Sequence, residues 1–169
     1  MPTPKSVRSA TSGYVVAMPT PPEATAELTL EDRHAIVAAT IKYCWAIDGR
    51  AYDELDDVFV EDVAIDYGTI APAFTGRDPL KKLIASALDP LDRSHHMVSN
   101  HEIEVVDGQP RSRCYFHAQH VRKVDEGSPN YIVAGIYHDR WVKLEAGWRS
   151  CARELEVVWT DGNPAVIGA

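Results

Sequence analysis

The chain has no run of basic residues, no cysteine pair at metal or redox spacing, and no apolar stretch approaching the ~20 residues that cross a bilayer. Lys and Arg number 17 against 25 Asp and Glu, a formal net charge of −8, so neither nucleic acid nor an anionic membrane surface is an expected partner. The three cysteines, Cys44, Cys114 and Cys151, are odd in number, far apart and set in apolar-periodic segments. They read as reduced, packed thiols of a cytoplasmic protein rather than a disulfide framework. Gly-rich phosphate loops, HExxH and CxxC motifs are all missing, and His117 and His120, three apart on a strand, point to opposite faces. No metal and no cofactor is expected. Near the N-terminus, YVVAM (14–18) is too short for the apolar core of a signal peptide and is followed by PTPPEAT rather than a cleavage site.

What is present is one domain's worth of apolar material: 45% hydrophobic residues in 169. Residues 1–27, rich in Pro, Thr, Ser and Ala, read as a flexible arm, and 28–169 as the domain. MPTP at Met1 and again at Met18 marks either a second start site or chance in a biased tail.

Thr29 followed by Asp32 resembles a capping pair, and Ile36, Thr40, Tyr43 and Ile47 then recur at helical spacing until Gly49, which puts Asp48 on the last turn. A second short helix is expected over YDELDDVFV (52–60), and a third from Asp78 as N-cap with Pro79 at the first helical position. Between them VAIDYG reads as a strand with Val63, Ile65 and Tyr67 inward and Asp66 outward. From His95 onward the period becomes two, and four segments separated by turns at Asp107-Gly108, Gly127-Ser128-Pro129 and Ala146-Gly147 read as meander strands. The order describes an α+β domain, with three N-terminal helices gathered against a curved, mostly antiparallel sheet.

That order, with YCWAIDGRAYDELDDVFVEDVAIDYG, HHMVSN and GIYHDRWVKLEAGWRSCARELEVVW as its landmarks, resembles the SnoaL-like branch of the NTF2-like superfamily over about residues 28–160. Within the superfamily it is similar to scytalone dehydratase, lindane dehydrochlorinase and the bile-acid dehydratases. The resemblance implies a cone-shaped sheet around an apolar pocket, an Asp-His dyad formed by Asp48 and His96, and Tyr67 as a catalytic pocket tyrosine. It also implies pocket roles for Asn100 (completing HxxxN), His120 and Arg153. Tyr43 and Tyr137 stand where those relatives carry a lysine and an asparagine, so their particular substrates are not implied.

The chemistry this points to is proton movement by an imidazole that a carboxylate orients. The expected activity is a cofactor-free lyase, a dehydratase acting on a hydrophobic hydroxylated carbonyl compound. An isomerase or aldol cyclase using the same dyad, or a ligand-binding domain with no chemistry, are the alternatives. Adjacent strand residues face opposite ways, so His95 is expected outside if His96 faces the pocket. Four tryptophans and a broad sheet face exceed what one small domain covers, and a homodimer or homotrimer is expected.

Overall fold

The computed structural model describes residues 27–168; the expected arm, apart from Glu27, and the MPTP repeat lie outside the described residues. Helix α1 (Leu30–Asp48) leads through a 3₁₀ turn (Tyr52–Asp57) to β1 (Phe59–Asp66), the two-residue β2 (Phe74–Thr75) and helix α2 (Arg77–Leu88). Four long strands follow, β3 (Arg93–Val106), β4 (Gln109–Val121), β5 (Asn130–Leu144) and β6 (Gly147–Gly162), then a last 3₁₀ turn (Pro164–Ile167).

Helix α1 begins at a complete capping box: Thr29 Oγ1 accepts from the Asp32 amide while the Asp32 carboxylate accepts from the Thr29 amide. Asp32 also accepts from Trp148 Nε1 and Lys143 Nζ, so the helix start is tied to the far end of the sheet. Of the three expected helices, two are α-helices. The segment read as the second is only a 3₁₀ turn, because Val58 and Phe59, both fully buried, leave it to enter the core at the start of β1. Four acids in six residues also favour a turn over a helix. The third expected helix starts one residue before Asp78: Gly76, at φ 115°, takes the N-cap position, and Pro79 sits in the first turn, where a missing amide costs nothing. The pairing of β2 with β1 was not legible in its two residues.

The strands form one open six-stranded sheet in the order β2-β1-β6-β5-β4-β3, antiparallel throughout except for the parallel β1–β6 pair. This is the NTF2-like α+β fold expected, with a mixed sheet and one helix fewer. Irregular register in β3 (Ser99 to Glu102) and in the β5–β6 pair (Ala134 to Gly135, Arg140 to Trp141) bends the long strands. The core fills the inner face: Tyr43, Ile47, Leu55, Phe59, Ile65, Leu80, Ile84, Phe116 and Tyr137 form its main cluster. Ile36, Ala39, Trp141 and Trp148 form a smaller one under the start of α1.

Gly135 marks the tightest point of the bend. A Cβ there would lie 1.9 Å from the Glu156 carbonyl oxygen and 2.8 Å from the Phe116 ring. Gly135→Ala should therefore lower unfolding free energy by about 2–3 kcal/mol through overpacking, read by urea denaturation. A loss under ~0.5 kcal/mol would show that the strands separate freely at this point.

Candidate active site

Two elements meet at the site. Asp48 is the last residue of α1, and His96 lies on β3, the edge strand of the sheet. Asp48 Oδ1 is 2.6 Å from His96 Nδ1, and Asp48 Oδ2 accepts from the His96 backbone amide at 2.7 Å. That second bond shows that the amide of His96 points out of the sheet, away from β4, so the carboxylate caps an open edge while it orients the ring. With Nδ1–H given to the carboxylate, Nε2 keeps its lone pair, and among the described residues it has no hydrogen-bond partner. The His96 side chain is 7% exposed.

Sequence reasoning missed two supports. Ser94 Oγ donates to Asp48 Oδ1 at 2.8 Å, and Arg50 Nη1 donates to Ser94 Oγ at 2.8 Å. Arg50 ends α1 by adopting φ 59°, a turn expected of Gly49, whose φ is −79°. Its guanidinium caps the carbonyls of Ile47 and Asp48 and reaches the Leu88 carbonyl at the end of α2. A carboxylate at the negative end of a helix is unfavourable, and this cation offsets it. Burial works against ionisation of Asp48, but the hydrogen bonds and charge of His96 and the Ser94 hydroxyl outweigh it and hold the carboxyl below its ordinary range. The signal available in sequence was an arginine two residues after the dyad aspartate, which has no meaning until its reach is known.

The remaining candidates divide. His120 is buried with its ring 5.7 Å from that of His96, and its Nδ1 has no partner. Burial, then the neighbouring His96, push its pKa down from 6.5 to about 4, so it is neutral at pH 7. Tyr43, Tyr67 and Tyr137 are buried together, the Tyr43 and Tyr67 hydroxyls 3.5 Å apart, and their phenols are pushed well above the ordinary 10 by burial first. Arg153, 1% exposed, lies against the rings of Tyr43 and Tyr137 and is paired bidentately with Asp139 at 2.9 Å, a partner not anticipated. Its Nη1 is buried without a partner.

Asn100 does not face the site. It is exposed, at φ 55°, in the irregular stretch of β3, where the extra residue reverses the alternation and turns His101 inward beside Thr40 instead. Asn tolerates the left-handed region better than most residues, which accounts for its presence there. His95 and Asp66 are exposed, as alternation requires.

The dyad lines a groove of about 560 Å³ between α1 and the β3 edge, with Ile41, Cys44, Trp45, Met97, Val98, Tyr115 and Phe116 as its apolar walls. Ser99, His95 and His117 are its other polar members, and no lysine or arginine lines it. Tyr67, expected beside the dyad, is not among the lining residues, because just past the end of β1 it continues the inward alternation of Val63 and Ile65 into the core. Among the described residues no helix is long and apolar enough to cross a membrane.

Comparison with known proteins gives a consistent set. The family model for the SnoaL-like domain matches residues 28–154. An uncharacterized Mycobacterium tuberculosis protein, Rv2910c, is 30% identical over 126 residues, 73% of this chain and 84% of its own. A candidate scytalone dehydratase from Novosphingobium aromaticivorans superposes with a TM-score of 0.69 at 28% identity, over 79% of this chain and 89% of that one. A hexachlorocyclohexane dehydrochlorinase (LinA, type 2) superposes with a TM-score of 0.69 at 15% identity, over 83% and 94%, a likeness of fold.

The lowered pKa of His120 has a testable consequence. Between pH 6.5 and about 4 the unfolded chain takes up a proton at this residue that the folded chain refuses, so stability falls as pH drops through that window and is untouched above it. The loss should reach about 3 kcal/mol at its fullest. Asp48 acts lower: its contribution is present above its ordinary 3.8 and fades only below it. Denaturation of His120→Leu between pH 7 and 4.5 should show the slope reduced, leaving the part carried by His101, whose pKa burial also lowers; an unchanged slope would place the acid sensitivity in other groups.

Proposed function

The chain belongs to the SnoaL-like domain family of the NTF2-like superfamily, and from that premise we propose that it is a cofactor-free lyase that removes water from an uncharged, apolar β-hydroxy carbonyl compound. The observation that carries the reading is the 2.6 Å contact of Asp48 with His96 Nδ1, which leaves Nε2 free on an apolar groove. The candidate scytalone dehydratase among its structural relatives supports the same class.

In this reading His96 Nε2 takes the proton α to the carbonyl, and the C–H electron pair becomes the enolate. As the enolate re-forms its carbonyl, the β C–O bond breaks, and the departing hydroxide takes the proton back from the imidazolium. Water is the product, and the enzyme is regenerated. Asp48 stabilises the imidazolium while it exists and keeps the ring aimed. His120, neutral at pH 7, is not the acid that protonates the leaving group; it forms part of the wall against which the ring of His96 rests. The groove's lack of lysine and arginine, beside the Asp48 carboxylate, argues against phosphorylated, carboxylated or coenzyme-A-linked substrates. Tyr67, Tyr43 and Tyr137 serve here as the packed backing of α1. Self-association of the domain, and a cytoplasmic setting supported by three buried free cysteines, belong to the same reading.

The experiment uses a panel of β-hydroxy-tetralones in deuterated buffer, following naphthol formation by absorbance and α-deuteration by mass spectrometry. Wild type should form the naphthol. His96→Ala and Asp48→Asn should each reduce turnover by ~10² or more, and the double variant should be no worse than the worse single one. Tyr67→Phe should cost no more than ~10-fold, since it does not line the groove. Deuteration without loss of water would move the assignment to an isomerase or cyclase. Binding with neither reaction would make the domain a receptor.

A further inference from the structure

Strand β3 has β4 on one side and no strand on the other. The His96 amide points away from β4 toward Asp48, so alternation turns the His96 carbonyl and both backbone groups of Val98 the same way. Beyond the bulge, the Ile103 carbonyl is engaged by Arg33 Nη1. Native edges are commonly blunted by lysine, proline or a covering segment, and SHHMVS (94–99) contains neither lysine nor proline. Apolar side chains flank this open stretch: in the groove Trp45 is 76% exposed, Tyr115 54%, Met97 48% and Ile41 42%. Large apolar groups gathered at one place on a surface mark a contact.

Residues 1–26 lie outside the described residues and hold a single apolar run, Tyr14-Val15-Val16-Ala17-Met18. It carries no charge and no proline, and two adjacent β-branched residues suit it to a strand. Its tether is anchored at the right place. Leu28 and Ile103 pack against the same small cluster, so the described chain begins beside the far end of β3. Eight residues separate Met18 from Glu27, three of them proline, and an extended Pro-rich segment of that length reaches about 28 Å. From Ile103 back to Val98 is about 17 Å along the strand.

We propose that Tyr14–Met18 docks as an added strand on the open edge of β3, parallel to it, and closes the solvent side of the groove beside His96. The tether sets the direction, because the chain must travel from the His96 end toward Ile103, as β3 itself does. In a parallel ladder one residue bonds the carbonyl of one neighbour and the amide two positions further on, and the carbonyl of His96 with the amide of Val98 is such a pair. Alternate side chains of the run then meet Ile41 and Trp45, an uncharged segment against a groove lined by no lysine or arginine. A segment of the same chain is favoured over any partner from solution, since a short tether holds it at an effective concentration on the order of millimolar. The pairing goes beyond the lyase reading and stands whether or not His96 is catalytic.

Two measurements on the full chain test it, and neither uses turnover. Amide hydrogen exchange of Val98, followed by NMR, should be at least ~10-fold slower in the wild type than in Val15→Asp/Val16→Asp, while Met97 and Ser99, whose amides face β4, exchange alike in both. Thermal melting should show the domain intact in the variant. Cysteine cross-linking identifies the occupant: Val15→Cys and Val16→Cys are each combined with Ile41→Cys on α1 or, as reference, with Ile70→Cys, 53% exposed between β1 and the opposite edge strand β2. The native Cys44, Cys114 and Cys151 are buried. One of the two valine positions, the one facing α1, should form an intrachain disulfide with position 41 at least ~10-fold faster than with position 70. Val98 exchange unaffected by the two aspartates, equal cross-linking to positions 41 and 70, or disulfides formed only between chains would overturn the proposal.

Discussion

One carboxylate joins the helical layer of this protein to the edge of its sheet. Both oxygens of Asp48 are spent on β3, on Ser94 and twice on His96, so the last turn of α1 and the uncovered side of the edge strand are held in one geometry. An unpaired strand edge is otherwise a site for unwanted pairing, and a buried carboxylate without donors is costly. Each of these liabilities supplies what the other lacks. The orientation of His96 follows from that exchange, which is why the residue that closes the structure is also the one that directs the imidazole.

Arg50 extends the same logic outward. It ends α1, neutralises the crowding of carbonyls and carboxylate there, steadies Ser94, and holds the end of α2. A single guanidinium with five donors can do this because its fork reaches several acceptors at once; a lysine in the same place would satisfy fewer. The second buried cation, Arg153, works differently. It is paired with Asp139, which Ser150 also supports, and is walled by aromatic rings in the middle of the core. Its remaining donor without a partner is an unresolved cost inside an otherwise apolar layer.

The groove beside the dyad lies at the β3 edge rather than deep within the sheet, whose inner face is filled by Tyr43, Tyr67, Tyr137 and Phe116. Its exposed wall, Trp45 and Ile41 on the outer side of α1, places apolar surface next to the unpartnered Nε2 of His96. Apolar walls select substrates that carry no charge of their own. The reading as a lyase therefore rests on the environment of His96 as much as on its partner.

Much of this was legible before any coordinates. The capping pair at Thr29 and Asp32, the strand runs from His95 onward, and the turns between them follow from local rules, since each depends on residues a few positions apart. Alternation correctly put Ile65 and Tyr67 inside and Asp66 and His95 outside for the same reason. It failed at Asn100, because a bulge inserts a residue and reverses the parity, and nothing in HMVSNHE marks where a neighbouring strand will force that insertion. The acidic segment after α1 was overread as a helix, since burial of Val58 and Phe59 in the sheet overrides local periodicity. Chain order alone cannot bring Asp139 to Arg153 or Arg50 to Ser94, and it cannot tell whether Tyr67 meets the groove or the core. Those outcomes depend on strand register and on side-chain reach across space, quantities that exist only once the sheet has closed over the helix.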